Sequence, residues 1–163
     1  DYPKTIIDDT YLHSKGLKRD ILGTSFPTTV LFNNEENIDP DFVICCYGGM
    51  VEDAIEASYN LLIDDEITTK LYIPTKISPI DDSTIDSIAS NKSKMIFVEE
   101  GYASAGWCSQ LITQLIQSDN CKCKVSEIKI IGPPAEPIPA NILKEKDFFP
   151  DSHNIISKVR ELI

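Results

Sequence analysis

Five consecutive apolar residues, Phe42-Val43-Ile44-Cys45-Cys46, run into Tyr47 and the pair Gly48-Gly49, after which apolar side chains return at a different spacing. A run so short and without polar alternation reads as a strand covered on both faces. Val51, Ala54, Ile55, Ser58 and Leu62 then fall at i, i+3, i+4, i+7 and i+11, one face of a helix. A buried strand that breaks at glycine and continues as an amphipathic helix is a βα unit. It points to a mainly parallel sheet with helices packed on it.

The rest of the chain repeats that unit. Residues 68–73 are rich in β-branched and aromatic types and read as a strand, with Pro74 and Pro79 bracketing a rigid connection. Asp82 or Ser83 is expected to cap a short helix that runs through Ile88. Residues 95–98 form the next strand, and Leu111, Ile112, Leu115 and Ile116 mark the inward side of the helix after it. A strand over 125–131 ends at Gly132-Pro133-Pro134, and Pro137 and Pro139 keep the following chain extended. The last helix is expected over 152–162, capped by Ser152, with Ile155, Ile156, Val159 and Ile163 turned toward the sheet. Before Phe42, residues 28–32 read as an edge strand and 33–40 as a polar turn. Residues 1–27 read as a linker or tail, which leaves one domain over 28–163.

A chain of 163 residues is one domain long and buries enough surface to fold without disulfides or metals. The net charge of -11 repels phosphate backbones and anionic headgroups, so neither nucleic acid nor a membrane surface is an expected partner. It leaves room for a basic protein partner steered by charge. There is no apolar stretch of membrane-spanning length and no signal-peptide pattern. The sequence opens on Asp1 rather than Met, so a piece of a longer protein is expected. The five cysteines are an odd number, and Cys45 and Cys46 look like small core side chains. Free thiols point to a reducing compartment: the cytoplasm, or the mitochondrial matrix or a plastid in a eukaryote. Cys121 and Cys123 form a C-x-C without histidine nearby, which reads as loop rather than as a metal site.

Parallel strands send their following loops to one edge of the sheet, where α/β proteins place ligands. Two such loops are informative. Tyr47-Gly48-Gly49-Met50 is either a tight βα turn or a cradle of free amides for an anion. Glu52 and Asp53, in the first helical turn, favour the turn, and the G-x-G-x-x-G dinucleotide fingerprint is absent. The second loop, from Glu99 to Gly106, sets two carboxylates beside Tyr102 and two glycines. Adjacent residues leaving a strand point to opposite sides, so one carboxylate is expected buried and the other solvated. No Ser-His-Asp set, Cys-His pair or H-E-x-x-H occurs, and the two histidines, His13 and His153, lie outside these loops. No catalytic residue is assigned.

Taken in order, the segment from Val43 to Ala57, then Ile77-Ser78-Pro79-Ile80-Asp81, then Val98-Glu99-Glu100-Gly101-Tyr102 with Gly106, then Gly132 with Pro137-Ile138-Pro139, resembles the transketolase C-terminal domain family. The resemblance covers about 41–163 and is nearest to the beta subunits of 2-oxo acid dehydrogenases. It implies a three-layer α/β/α domain around a mixed five-stranded sheet with one antiparallel edge strand, 28–32 beside Phe42–Cys46. It also implies that thiamine diphosphate, its magnesium and the catalytic glutamate and histidine belong to other domains, so that this domain alone binds no cofactor.

By the same resemblance, the domain packs on a pyrimidine-binding neighbour of the parent chain and helps build a homo- or hetero-oligomer. The implied contact residues are Tyr47, Gly48, Gly49 and Met50, Glu99, Glu100, Gly101, Tyr102 and Gly106, and a C-terminal end from Arg160 to Ile163 that can meet a lipoyl acyltransferase core. Related beta subunits carry arginine ahead of Thr-Ile-Ser-Pro, whereas Pro74-Thr75-Lys76-Ile77 stands here. A guanidinium contact is therefore either replaced by Lys76 or absent.

Three readings follow. The first is an assembly domain of a thiamine-dependent dehydrogenase whose parent hands an acyl group to a lipoyl arm. The second is the equivalent domain of a transketolase, a 1-deoxyxylulose-5-phosphate synthase or an oxoacid-ferredoxin oxidoreductase. The third is a stand-alone anion- or nucleotide-binding module.

Overall fold

The computed structural model describes residues 8–35, 38–122, 124, 127–141 and 147–163. In chain order the elements are α1 (Asp9–Ser14), β1 (Lys18–Leu22), β2 (Thr28–Phe32), β3 (Phe42–Cys46), α2 (Met50–Asp65), β4 (Thr69–Pro74), α3 (Asp82–Ala89), β5 (Lys94–Val98), α4 (Trp107–Gln117), β6 (Ile128–Ile131) and α5 (Ser152–Arg160). They form a three-layer α/β/α domain around a six-stranded sheet of order β1-β2-β4-β3-β5-β6. The strands from β4 to β6 run parallel, and β1 and β2 are antiparallel additions.

Strand alternation divides the core in two. Ile44, Cys46, Leu71, Ile96 and Val98 pack under α2 and α5, while Val43, Cys45, Tyr72, Met95 and Phe97 pack under α3 and α4. The adjacent thiols Cys45 and Cys46 thus serve opposite cores, both fully buried as their apolar setting predicts. No helix among the described residues is long and apolar enough to cross a membrane.

The sheet has one strand more than expected, and 28–32 is not its edge. β2 pairs with β4, Thr28 opposite Pro74 and Phe32 opposite Lys70, instead of lying beside β3. The edge is β1, drawn from the stretch expected to be tail, and its residues are almost wholly exposed. A strand held by its ladder to β2, with no buried face of its own, leaves no hydrophobic period to read. α1 lies in the same stretch, capped by the Asp8 carboxylate, which accepts from the Thr10 amide at 3.0 Å, and anchored by buried Leu12.

Helix ends and faces also differ in detail. The last helix is capped by Asp151, not Ser152: its carboxylate accepts from the Asn154 amide at 2.9 Å, and Asn154 Oδ1 accepts from the Asp151 amide at 3.0 Å. This reciprocal box satisfies two amides at once, which Ser152 one position later could not do. α3 is preceded by Asp81 at its N-cap. On α2 the buried position is Leu61, with Leu62 only partly covered. On α4, Trp107, Cys108, Leu111 and Leu115 face the core while Ile116 is exposed. The strand expected over 125–131 is described over Ile128–Ile131; positions 125 and 126, and Cys123 of the C-x-C, lie outside the described residues.

Candidate functional site

β3 and β5 are neighbours in parallel register, Cys46 opposite Val98, so the loops that leave them emerge side by side. This edge joins Tyr47, Gly48 and Gly49 to Glu99, Glu100, Gly101, Tyr102 and Gly106. Met50 opens α2 and is buried beneath it rather than facing outward. Arg160 and Ile163 lie elsewhere. α5 starts near this rim, where the Ser152 amide donates to Asp53 Oδ1 at 3.1 Å, and ends at the opposite edge, where Lys94 donates to the Leu162 carbonyl. Arg160 is engaged there by Asp65, with Nε and Nη2 at 3.0 and 2.7 Å from Oδ2, and Ile163 is exposed.

Glu99 and Glu100 diverge as strand geometry requires. The Glu99 amide extends the ladder to the Ile131 carbonyl at 3.1 Å, and its side chain turns inward and is 0% exposed. Among the described residues neither of its carboxylate oxygens has a hydrogen-bond partner. It lies hard against Gly106, the N-cap of α4, where a Cβ would stand 2.2 Å from Oε2. Glu100 is exposed and lies against Gly49, the N-cap of α2, where a Cβ would stand 2.3 Å from Oε1. Each carboxylate thus sits beside the start of one helix, where the helix dipole favours negative charge.

The surroundings are aromatic and sulfur-rich. The Tyr47 ring meets Trp107 edge-on at 4.9 Å, and Trp107 Nε1 donates to the Ile77 carbonyl at 2.9 Å. Burial, then the nearby Glu99, Cys108 and Glu100, pushes the Tyr47 phenol upward. The Cys108 thiol is raised far above its usual range by burial first and Glu99 second, and Cys46 is pushed up to about 12 by burial and then Asp53. Thiols held neutral in this way are poor nucleophiles. Lys76 lies 5.7 Å from the Phe26 ring centroid and 3.8 Å from Asp81, so it is turned to these groups rather than to Glu99.

The same rim carries large apolar groups. Because Thr28 opposes Pro74, the β1–β2 turn also lies here and adds Phe26. Phe26, Ile77, Tyr102 and Ile138 are 56, 44, 43 and 55% exposed. Tyr102 Oη donates to the Glu136 carbonyl at 2.7 Å and links the second loop to the segment after β6. Phe26 and Ile138 were not legible as site residues, since one follows an unpatterned stretch and the other sits among prolines; an aromatic directly ahead of Pro27 and a strand was the available signal.

This rim does not fit a diphosphate held by magnesium. Glu100, Glu52 and Asp53 already crowd the α2 N-terminus with negative charge, and among the described residues no group of three His, Cys, Asp or Glu is arranged to hold a metal ion.

The model of the family described as "Transketolase, C-terminal domain" matches residues 34–155, from the turn after β2 into α5. The chain belongs to the transketolase C-terminal domain family. Its antiparallel strands β1 and β2 and helix α1 precede the part by which this transketolase C-terminal domain is recognised. No curated protein matches it by sequence. Among solved structures it is similar to a split-gene transketolase described as an inactive beta4 tetramer, with a TM-score of 0.62 and 16% identity over 77% of this chain. It is also similar to a 2-oxoglutarate:ferredoxin oxidoreductase from Magnetococcus marinus, with a TM-score of 0.52 and 14% identity over 89% of this chain. At such identities the likeness is one of fold. The chain spans 40% and 19% of those two proteins.

Proposed function

We propose that this transketolase C-terminal domain is the non-catalytic assembly domain of a thiamine-diphosphate-dependent 2-oxo acid dehydrogenase, in the position of a beta subunit. It packs its strand-end rim, through the loops Tyr47 to Met50 and Glu99 to Gly106, on a pyrimidine-binding domain, and it contributes to dimer or heterotetramer contacts. The observation that carries this reading is the rim itself: four large apolar side chains exposed on one edge, beside a buried carboxylate without a partner. Exposed apolar groups gathered on one surface mark an interaction site. Thiamine diphosphate, held by sister domains, would supply the electron sink for decarboxylation, and this chain would supply the surface that keeps those domains in place. Exposed Ile163 offers an apolar contact to an acyltransferase core, while Arg160 is tied to Asp65.

A second reading, the same domain in a transketolase or an oxoacid-ferredoxin oxidoreductase, is favoured by the two solved structures of like fold. An anion- or nucleotide-binding role for the Gly48-Gly49 turn is opposed by the Glu100 carboxylate against Gly49. Calorimetric titration of the chain with thiamine diphosphate and magnesium is expected to give no binding heat; micromolar affinity would overturn the assignment of cofactor residues to other domains. Nucleotides and sugar phosphates are expected to leave the melting temperature unchanged, whereas a bound ligand at 100 times its dissociation constant would add about 2.7 kcal/mol.

A further inference from the structure

Glu99 is sealed inside the rim beside the neutral Cys108 thiol and the start of α4, with no counter-charge among the described residues. Both oxygens lack partners and the side chain is fully buried. Desolvating a carboxylate without a counter-charge or donor is strongly unfavourable, and such groups in proteins are normally paired. The ion pairs among the described residues run elsewhere: Lys94, the cation nearest in sequence to the rim loops, donates to the Leu162 carbonyl at the opposite edge, and Lys76 is paired with Asp81.

Above the carboxylate lies a thin roof. Gly101 and Gly106 press on it without side chains, and the residues between them include Ala103, Ser104 and Ala105. The roof is tied down by Tyr102 Oη to the Glu136 carbonyl and by Ser109 Oγ to the Ala103 carbonyl, two contacts that a docking surface can exchange. Glu52 and Asp53 in the first turn of α2, Glu100 against Gly49 and Glu136 beside Tyr102 give the rim net negative charge, with Asp81 offset by Lys76, so its field attracts positive charge.

We propose that Glu99 is the acceptor for a cationic side chain, an arginine or a lysine, delivered by the domain that packs on the rim. On docking, the Gly101–Gly106 roof shifts and the carboxylate gains the donor it lacks. The inference rests on the rim reading above and deepens it by naming the chemistry of the partner.

The test uses the assembled parent enzyme, with hydrogen exchange to report the rim and the association constant to report Glu99. Amides of 47–50 and 101–106 are expected to become protected on assembly, and Glu99→Gln is expected to weaken association about thirtyfold, the scale of truncating one member of a buried charge pair. Protection with wild-type affinity in Glu99→Gln overturns the inference and leaves the rim reading standing. Absence of protection overturns both. Should Glu99→Gln fail to fold, Glu99→Asp replaces it: the carboxylate drawn back by one methylene is expected to bind about tenfold more weakly, and undiminished affinity overturns the proposal.

Discussion

Glu99 and Glu100 are consecutive, and each rests against a glycine that begins a helix, yet Glu99 is sealed under α4 and Glu100 stands in water beside α2. The local pattern is the same on the two faces of the sheet. What differs is the freedom to move. A solvated glutamate can swing away from an intruding atom, whereas a buried one is held by everything packed around it. The two glycines therefore answer to different pressures, although both have backbone angles that any residue could adopt, φ -86° at Gly106 and -63° at Gly49.

Alkaline pH has the largest expected effect, and it acts through the buried thiol beneath α2 and α5 rather than on the Glu99 face. Cys46 keeps its proton in the folded chain up to about 12, against 9.0 for an unperturbed thiol. The folded state thus holds protons that the unfolded state has already lost. Stability is fully present below pH 9.0 and is expected to fall as pH rises toward about 12, by roughly 4 kcal/mol at most for three units of difference. Denaturant melts across this range check it, with thiol labelling at pH 8 as a companion. Cys121, only partly covered, should react before Cys45, Cys46 and Cys108; equal rates would mean that the core opens readily.

Gly106→Ala is expected to lower stability by about 2–3 kcal/mol, since its Cβ would enter the space of a carboxylate that has nowhere to go. Combining it with Glu99→Ala should recover much of that loss in a double-mutant cycle. Additive losses would show that the two sites do not press on each other. Trp107→Phe gives up the bond to the Ile77 carbonyl and is expected to lose about 1 kcal/mol by urea unfolding.

Gly49→Ala is expected to change stability by no more than about 0.5 kcal/mol, because the exposed Glu100 can move aside. A loss as large as that of Gly106→Ala would erase the distinction between the faces. Its neighbour offers a control of another kind: Gly48 has φ +58° with open space around it, so alanine there meets backbone strain of about 1 kcal/mol rather than a clash.

The parallel half of the fold was legible because each buried strand carries its own apolar run and each helix its own period. The divergence of the two glutamates followed from strand alternation alone. β1 was not legible, since four of its five residues are exposed and only pairing with β2 makes it a strand. The resemblance set β2 beside β3, whereas the sheet places β4 between them, because strand order is a matter of packing that no local pattern records. At the rim, the motif loops could be named from sequence, but not the apolar surface that Phe26 and Ile138 add, because those residues lie far apart in the chain.

The sequence by itself determined the βα repeats, the buried strands and the membership of the loops, all properties written locally in hydrophobic spacing and glycine placement. Only the tertiary structure decided which carboxylate is entombed, which glycine must remain bare, and that the β1–β2 turn joins the same edge. Those outcomes depend on distances between segments set by packing, and packing has no period along a chain.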